Sequence, residues 1–492
     1  MSLAPSPPTR SPLIAPSREA PGGRWPLAPA IVPALRGRVG WALLAIVCLG
    51  IAAASLTYQN AADFDPWGWI VWGREVLHLD LNSVQGPSWK PGPVLFTTVF
   101  SIFGGAAPTL WVLTARLGLL LAVVMAYRVA ARLGGRFAGV IAAVLLLTLH
   151  SFLRGAVYAE SEPMMVGFLL ASIDAILAGR HRTALVLMWF AALLRPEVWP
   201  VMLGYSGYLW LREPRQRSWV IGAWVLVVAL WFGGDWWGSG NPFLSSDRAK
   251  QFVRWNHWDQ YKVPAQAMLT FFVNRLHRPG IAVAVIAILL ALRRRNWAVL
   301  GIALASLVTL ATVAAMAQDG YPVLDRFLFA SLALAVVLAG VGAAHLAQLA
   351  WRWHAVAGLA VGAALVAVLS PLAINNAQRW KPELKQAHHW SQEVNTIPQA
   401  VAAAGGARRV AACPASVTTY LLMMPAMAWD LDTPMWRVFD TKHLHETLFI
   451  RQGDPMWLVE TRPQLRTLRI ARASGWDVLF VDTVRPFAKT IC

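Results

Sequence analysis

Apolar runs recur along the chain from residue 41 to residue 372, each closed by a short polar joint. A bilayer core about 30 Å thick takes about 20 helical residues to cross. On that pattern residues 41–56, 110–131, 137–149, 163–177, 219–231, 281–292, 297–316, 327–349 and 355–372 are expected to span a membrane. The run 94–103 is too short and is expected to lie in the interface. Residues 183–194 and 198–211 flank Arg195, Pro196 and Glu197, and make either one kinked span or a tight hairpin. The hairpin keeps Arg212, Arg215 and Arg217 on the same side as Arg293, Arg294 and Arg295, as the positive-inside rule asks. The count is then about 11 transmembrane helices.

Two parts fall outside this pattern. Residues 1–38 are rich in Pro, Ser, Ala and Arg without apolar periodicity, and read as a disordered cytoplasmic tail. The run after it ends in "IAAAS", which resembles a cleavage site, but the long tail ahead favours an uncleaved anchor. The transmembrane part covers 39–378, with exterior loops at 59–107 and 233–279. Residues 379–492 have the composition of a small soluble domain. There "RRVAAC", "HETLFI", "PMWLVE" and "WDVLFVD" read as strands, and "PQLRTLRIARASG" as a helix ending at a Gly stop. The fold class expected is therefore an α-helical polytopic membrane protein with a small C-terminal exterior α/β domain.

Composition agrees and removes alternatives. The chain is 57% hydrophobic and 14% charged, where a soluble domain carries about a quarter charged residues. Its formal charge of +18 sits mostly in short clusters between apolar runs, which speaks for positive-inside loops and against nucleic acid. The 26 tryptophans suit a protein with much surface at the membrane–water boundary. Cys413 and Cys492 lie in the C-terminal part, where an oxidising exterior would permit a bridge. The orientation expected is a multi-pass plasma-membrane protein with the N-terminus cytoplasmic and the C-terminal domain exterior.

The charges that interrupt the pattern on the exterior side are the candidates for chemistry. "AADFDPWGWIVWGREV" carries Asp63, Asp65, Arg74 and Glu75 among Trp67, Trp69 and Trp72, and Lys90 follows. The next exterior segments bring His150, Arg154, Glu160 and Glu162, then Arg195 and Glu197, then Asp319, Asp325 and Arg326. A carboxylate can take a proton from a hydroxyl, and Arg and Lys side chains can hold a phosphate by charge-assisted hydrogen bonds. An anionic lipid-linked substrate with its head group at the outer surface needs that combination. Structural readings stand beside the chemical ones: Asp63 and Glu162 as helix-terminal acids, Arg74, Lys90 and Arg326 as interface anchors, Arg195 with Glu197 as an ion pair. Arg116, inside an apolar run, reads as structural, and His257 and the His388–His389 pair lack metal-ligand partners at a useful spacing.

Taken in order, these pieces resemble the GT-C superfamily of polytopic membrane glycosyltransferases, in particular its mannosyl- and aminoarabinose-transferase group. "DPWGWIVWGREV" is similar to the family's acidic motif after the first span, with Asp65 on the first acid, Trp69 on the aromatic and Arg74-Glu75 on the Arg-Glu. Pro66 stands where many members have a second acid, which weakens a metal pair there. "SWKPGPVLF" resembles the Lys-Pro-Pro-Leu segment, "ESEPMM" the Ser-Glu-Pro opening of a later span with Glu162 on its second acid, and "DRFLFA" the Arg-Tyr start of a late span with Arg326 on the Arg. The likeness covers residues 41–349, roughly, and rests on order and spacing rather than on one motif.

The resemblance implies an integral membrane glycosyltransferase moving a hexose or pentose from a polyprenyl-phosphate carrier to an envelope glycan, lipid or protein hydroxyl, with inversion. Asp65 would be the general base with Glu162 as a second catalytic acid. Asp63, Arg74, Lys90, Arg154, Arg195, Glu197 and Arg326 would bind substrate. No cofactor is certain, and a divalent metal is not indicated. The implied partners are the polyprenyl-phosphate sugar donor, an envelope acceptor and membrane lipids. Two other classes stand as alternatives, a transporter or flippase of lipid-linked saccharide and a non-catalytic scaffold. A transporter should show internal repeats and broken helices in matching halves; no repeat is visible, and the charges crowd one side of the membrane.

Overall fold

The structure is a computed structural model that describes residues 37–255, 261–412, 417–440, 447–452 and 465–483. The expected disordered tail up to residue 36, His257, the strand "PMWLVE", and both Cys413 and Cys492 lie outside the described residues.

The chain is a multi-pass helical membrane protein. Its helices run α1 (Arg38–Ser55), α2 (Phe64–Leu77), α3 (Pro91–Ser101), α4 (Ala107–Gly134), α5 (Arg136–Thr148), α6 (His150–Val157), α7 (Glu162–Leu177), α8 (His181–Leu194), α9 (Trp199–Arg212), α10 (Arg217–Ser239), α11 (Leu244–Trp255), α12 (Pro264–Arg294), α13 (Trp297–Gln318), α14 (Phe329–Trp353) and α15 (Ala355–Gln378). Among the described residues six stretches are long and apolar enough to cross a membrane, those containing α4, α10, α12, α13, α14 and α15. A seventh is α5 joined to α6 across a bend of 62°. Each apolar run of the sequence coincides with a helix, and 183–211 is a helical pair, α8 and α9, broken at Arg195–Val198.

The bundle closes around α14, whose residues from Phe329 to Ala344 are buried on every face. Small residues permit this. A Cβ on Gly342 would come within 2.1 Å of the Val283 carbonyl oxygen, and one on Gly340 within 2.4 Å of that of Ala138, so neighbouring backbones pack directly on α14. On α4, Arg116 faces Ser55 Oγ at 2.7 Å and also donates to Gln59, tying α4 to the end of α1. That is the structural role its intramembrane position implied.

The segment 233–279, expected as an exterior loop, is largely helical. Helix α10 continues to Ser239, α11 follows, and α12 begins at Pro264. Apolar-run reading stops a span where Trp, Asp and Arg begin, but these residues suit helix ends at the interface. Helix α12 is kinked at His277 (φ 56°, ψ 157°), two residues before Pro279, which has no N–H to donate and crowds the preceding turn.

Beyond α15 come α16 (Trp380–Val394), α17 (Ile397–Ala403), α18 (Ala407–Ala412) and α19 (Met424–Asp430). Strands β1 (Val417–Thr419), β2 (Val438–Asp440), β3 (Thr447–Arg451), β4 (Leu465–Ala473) and β5 (Trp476–Thr483) form a mixed sheet in the order β2-β1-β3-β5-β4. β1 is parallel to β2 and β3, and β5 antiparallel to β3 and β4. The α/β class is as expected, but two elements differ. "RRVAAC" contributes a helix, α18, and the expected helix at 463–475 is strand β4. A β-bulge between Arg469 and Ala471 inserts a residue into β4, giving a strand the three-residue apolar step that reads as helical. The presumed helix stop, Ser474-Gly475, is instead a hairpin turn with both residues at positive φ (51° and 81°).

Candidate active site

Asp63 and Asp65 open α2. Asp63 is its N-cap, accepting from the Phe64 N–H at 2.8 Å, and its burial pushes the carboxyl above the usual carboxylate range. Asp65 lies in the first turn. The helix is pressed onto the bundle by its tryptophans, Trp69 and Trp72 being fully buried. It meets α3 at backbone distance: a Cβ on Gly73 would lie 2.4 Å from Thr97 Oγ1, and that hydroxyl donates to the Trp69 carbonyl at 2.7 Å.

At this end of the bundle Asp65, Lys90, Glu160, Glu162, Arg195, Glu197 and Arg326 converge. Arg326, from the turn that opens α14, donates to Asp65 Oδ2 at 3.0 Å and to Glu160 Oε1 at 2.7 Å. Its Nε faces Glu162 Oε1 at 3.9 Å. Arg195 donates to that same Glu162 oxygen at 2.8 Å and forks onto Glu197, with Nε to Oε2 at 3.1 Å. Lys90 Nζ lies 3.9 Å from Asp65 Oδ2 and 4.5 Å from the centroid of the Trp69 ring. Buried charges are retained at such density only when paired, and here the pairing is incomplete. Lys90 Nζ, Glu160 Oε2, Glu162 Oε2 and Arg326 Nε are buried without a hydrogen-bond partner.

The carboxylates differ in access. The side chain of Asp65 retains 18% of its exposure, against 11% for Glu160 and 0% for Glu162. Burial pushes the Glu160 carboxyl up to about 8, with Arg326 opposing the shift and Glu162 and Asp65 adding to it. Burial likewise lowers Lys90 from the usual lysine range, with Arg195 adding to that and Glu162 and Asp65 opposing it. The arrangement offers one accessible carboxylate beside two cations, backed by an enclosed ion network.

Lys90 is aimed by a scaffold that precedes it. The indole N–H of Trp89 donates to the Leu230 carbonyl at 3.0 Å, and a Cβ on Gly234 would come within 2.2 Å of that ring. Asp235 accepts from Ser245 N and Oγ at 3.0 and 2.9 Å, and Ser245 Oγ accepts from Trp89 N at 2.6 Å. Arg248 donates to the carbonyls of Ser83, Val84, Gly86 and Pro87. Helix α11 also reaches the segment before Arg326, through Ser246–Tyr321 at 2.6 Å and Lys250–Asp319 at 2.6 Å.

Three sequence candidates stand apart from this cluster. Arg74 donates to the carbonyls of Trp429 and Thr433 at 3.2 and 2.9 Å and pairs with Asp432 at 2.9 Å, so it fastens α2 to α19. Arg154 pairs with Glu383 of α16 at 2.9 Å and stacks on Tyr158. Asp63 is occupied as a cap. Glu160 was visible among the exterior charges but not singled out from Glu162. It follows Ala159, a non-glycine at φ 61° whose carbonyl accepts from the Trp111 indole at 3.0 Å, and that turn directs Glu160 to Arg326. Nothing in the local sequence signals it. Among the described residues no three His, Cys, Asp or Glu side chains converge in a way that could hold a metal ion.

No protein-family model and no curated protein matches the sequence. Among solved structures, ArnT from Cupriavidus metallidurans in the apo state aligns over 89% of this chain and 97% of its own, with a TM-score of 0.53 and 15% identity. ArnT from the same organism bound to undecaprenyl phosphate aligns over 90% and 98%, at a TM-score of 0.49 and 14% identity. The archaeal oligosaccharyltransferase AglB from Archaeoglobus fulgidus, in complex with an inhibitory peptide and a dolichol-phosphate, aligns over 79% of this chain and 64% of its own, at 0.47 and 12%. The apo comparison shows that this chain shares the fold of that ArnT structure.

Proposed function

We propose that this chain is an integral membrane glycosyltransferase that moves a sugar from a polyprenyl-phosphate carrier to a hydroxyl of an envelope glycan, lipid or protein. The reaction occurs at the exterior face of the plasma membrane, with the N-terminus cytoplasmic and the C-terminal domain exterior. The observation that carries this reading is the buried Lys90 ammonium, which lacks a hydrogen-bond acceptor while standing 3.9 Å from the most accessible carboxylate of the cluster. A buried cation without an acceptor is costly, and an incoming phosphate oxygen would satisfy it.

In this reading Lys90 and Arg326 take the phosphate, and Asp65 acts as general base. Asp65 removes the proton of the acceptor hydroxyl as the hydroxyl oxygen attacks the anomeric carbon. The bond from that carbon to the phosphate oxygen breaks, its electron pair leaves with polyprenyl phosphate, and the anomeric centre inverts. The two cations offset charge as it develops on the leaving phosphate. Glu162 and Arg195 are enclosed and paired through Glu162 Oε1, so they position Arg326 and the helix ends rather than touch substrate. Glu197 acts with them.

The test incubates wild-type protein and Asp65→Asn, each in nanodiscs, with a panel of radiolabelled polyprenyl-phosphate sugars and an envelope glycan extract. Transfer by wild type and its loss in the variant is the expected result. Donor binding without transfer by wild type, for every donor, would overturn the reading in favour of a carrier of lipid-linked saccharide.

A further inference from the structure

From the middle of the same helices toward their other end, α8 and α10 part to leave a slot of 530 Å3 lined by Leu185, Trp189, Phe190, Trp219, Gly222 and Leu226. Its walls are almost wholly apolar. Val186, Trp219 and Leu226 are exposed along it, so the slot opens sideways to the bilayer. Phe190 is held in place by stacking on Phe168 at 5.3 Å. One polar atom is left over: the Trp189 indole nitrogen is buried without a hydrogen-bond partner.

The charged end of the slot has a definite sign. Arg182 stacks over the Trp219 ring at 5.5 Å, and Arg217 begins α10 one residue before Ser218, which lines the slot. Each uses only Nε in a hydrogen bond, Arg182 to Gln216 at 3.4 Å and Arg217 to the Trp210 carbonyl at 3.1 Å. Their terminal nitrogens are free among the described residues. Arg212 and Arg215 lie in the same turn region, and the acid there, Glu213, faces His181 at 3.8 Å.

We infer that this slot binds one anionic phospholipid of the membrane, with an acyl chain between α8 and α10 and its phosphate on Arg182 and Arg217. An acyl chain matches the apolar walls, and an ester carbonyl can accept from the Trp189 indole N–H. Free guanidinium nitrogens at the membrane surface suit a phosphate. The carrier's phosphate does not fit this assignment, because Arg182 and the cluster residue Arg195 sit at opposite ends of α8, about 20 Å apart along its axis.

The experiment purifies the full chain with excess phosphatidylglycerol, phosphatidylcholine of the same acyl chains, or polyprenyl phosphate, and counts retained lipid by native mass spectrometry. Wild type is expected to retain phosphatidylglycerol over phosphatidylcholine. Gly222→Phe fills the slot, and a Cβ at Gly222 meets nothing within 4 Å, so the helix should tolerate it. It is expected to lower phosphatidylglycerol retention about tenfold, the effect of losing about two buried methylenes. Leu226→Trp, from the α10 wall, should do the same and guards against misfolding of the first variant. Arg182→Gln with Arg217→Gln should abolish the preference between the two phospholipids. Equal retention of both by wild type, or unchanged retention by both slot-filling variants, would overturn the inference. So would a slot-filling variant that loses polyprenyl phosphate instead, since that would give the slot to the carrier's tail.

Discussion

Asp65 and Arg326 stand 261 positions apart in the chain and meet at 3.0 Å across one end of the bundle. The bond uses Asp65 Oδ2, while Oδ1 has no hydrogen-bond partner among the described residues. One carboxylate oxygen is thus fixed by a cation that Glu160 also holds, and the other is left for a hydroxyl.

On that geometry Asp65→Asn keeps the shape and the contact with Arg326 but removes the base. Transfer should fall by about two to four orders of magnitude, the usual worth of a positioned general base. Donor binding should change only a few-fold, because the phosphate is assigned to Lys90 and Arg326. Paired measurements of radiolabel transfer and donor retention separate the two effects. A parallel loss of both would demote Asp65 to a binding residue.

Glu160 gives a pH dependence with a definite sign. Burial pushes its carboxyl up to about 8, so it is mostly protonated at neutral pH and ionises above that value. Once ionised it competes for Arg326, its partner at 2.7 Å, against an anionic donor. The donor KM should therefore rise as pH passes through about 8, and Glu160→Gln should flatten that limb while keeping activity at pH 7. The same raised value makes the folded-state contribution of Glu160 full below the ordinary carboxylate range and lost as pH rises through about 8. An unchanged alkaline limb in the glutamine variant would remove Glu160 from the mechanism.

The spans, the short helix α3 and the acids at their ends were legible because hydropathy and charge follow directly from transfer out of water. Asp65, Lys90 and Arg326 could be nominated from the sequence, since each is a charge beside an apolar run. Their mutual contacts could not, because they depend on how α2, α3 and α14 pack, and that packing is set by small residues such as Gly73 and Gly340. Glu160 is not singled out from Glu162 by the sequence because it is placed by a left-handed turn at Ala159, a residue type that does not announce one. The contacts of Arg74 were hidden for another reason: its partners, the Trp429 and Thr433 carbonyls and Asp432, lie more than 350 residues away. The helical reading of β4 failed at a single inserted residue.

Arg195 offers a test of stability rather than chemistry. It is buried between Glu162 and Glu197, with 4% exposure, and donates to Glu162 Oε1 and to both Glu197 oxygens. Removing one member of such a buried group leaves uncompensated charge and costs about 3–5 kcal/mol. Arg195→Ala should lower the unfolding temperature in detergent sharply, and Arg195→Ala with Glu197→Gln should recover part of the loss. A variant that unfolds like wild type yet loses donor binding would instead return Arg195 to the substrate.

The joint between α2 and the C-terminal domain should respond to pH on its own account. Arg74 lies against α19, donating to the Trp429 and Thr433 carbonyls and stacking on the Trp429 ring at 5.1 Å. Two acids flank it, Glu75 buried and Asp430 half-buried. Burial pushes Glu75 and Asp430 each up to about 7, outweighing the attraction of Arg74 in both cases. Folded-state values above the ordinary carboxylate range mean that their contribution is full at low pH and is lost as pH rises through about 7. Hydrogen exchange over residues 424–437, corrected for the intrinsic rate, should accordingly show less protection at pH 8 than at pH 6. Glu75→Gln should reduce that difference, because the amide cannot ionise. Arg74→Ala should lower protection at both values by about 2 kcal/mol, the worth of hydrogen bonds made by a charged donor. If exchange in this segment is the same at pH 6 and pH 8, the two acids do not ionise in that interval and the joint carries no pH dependence.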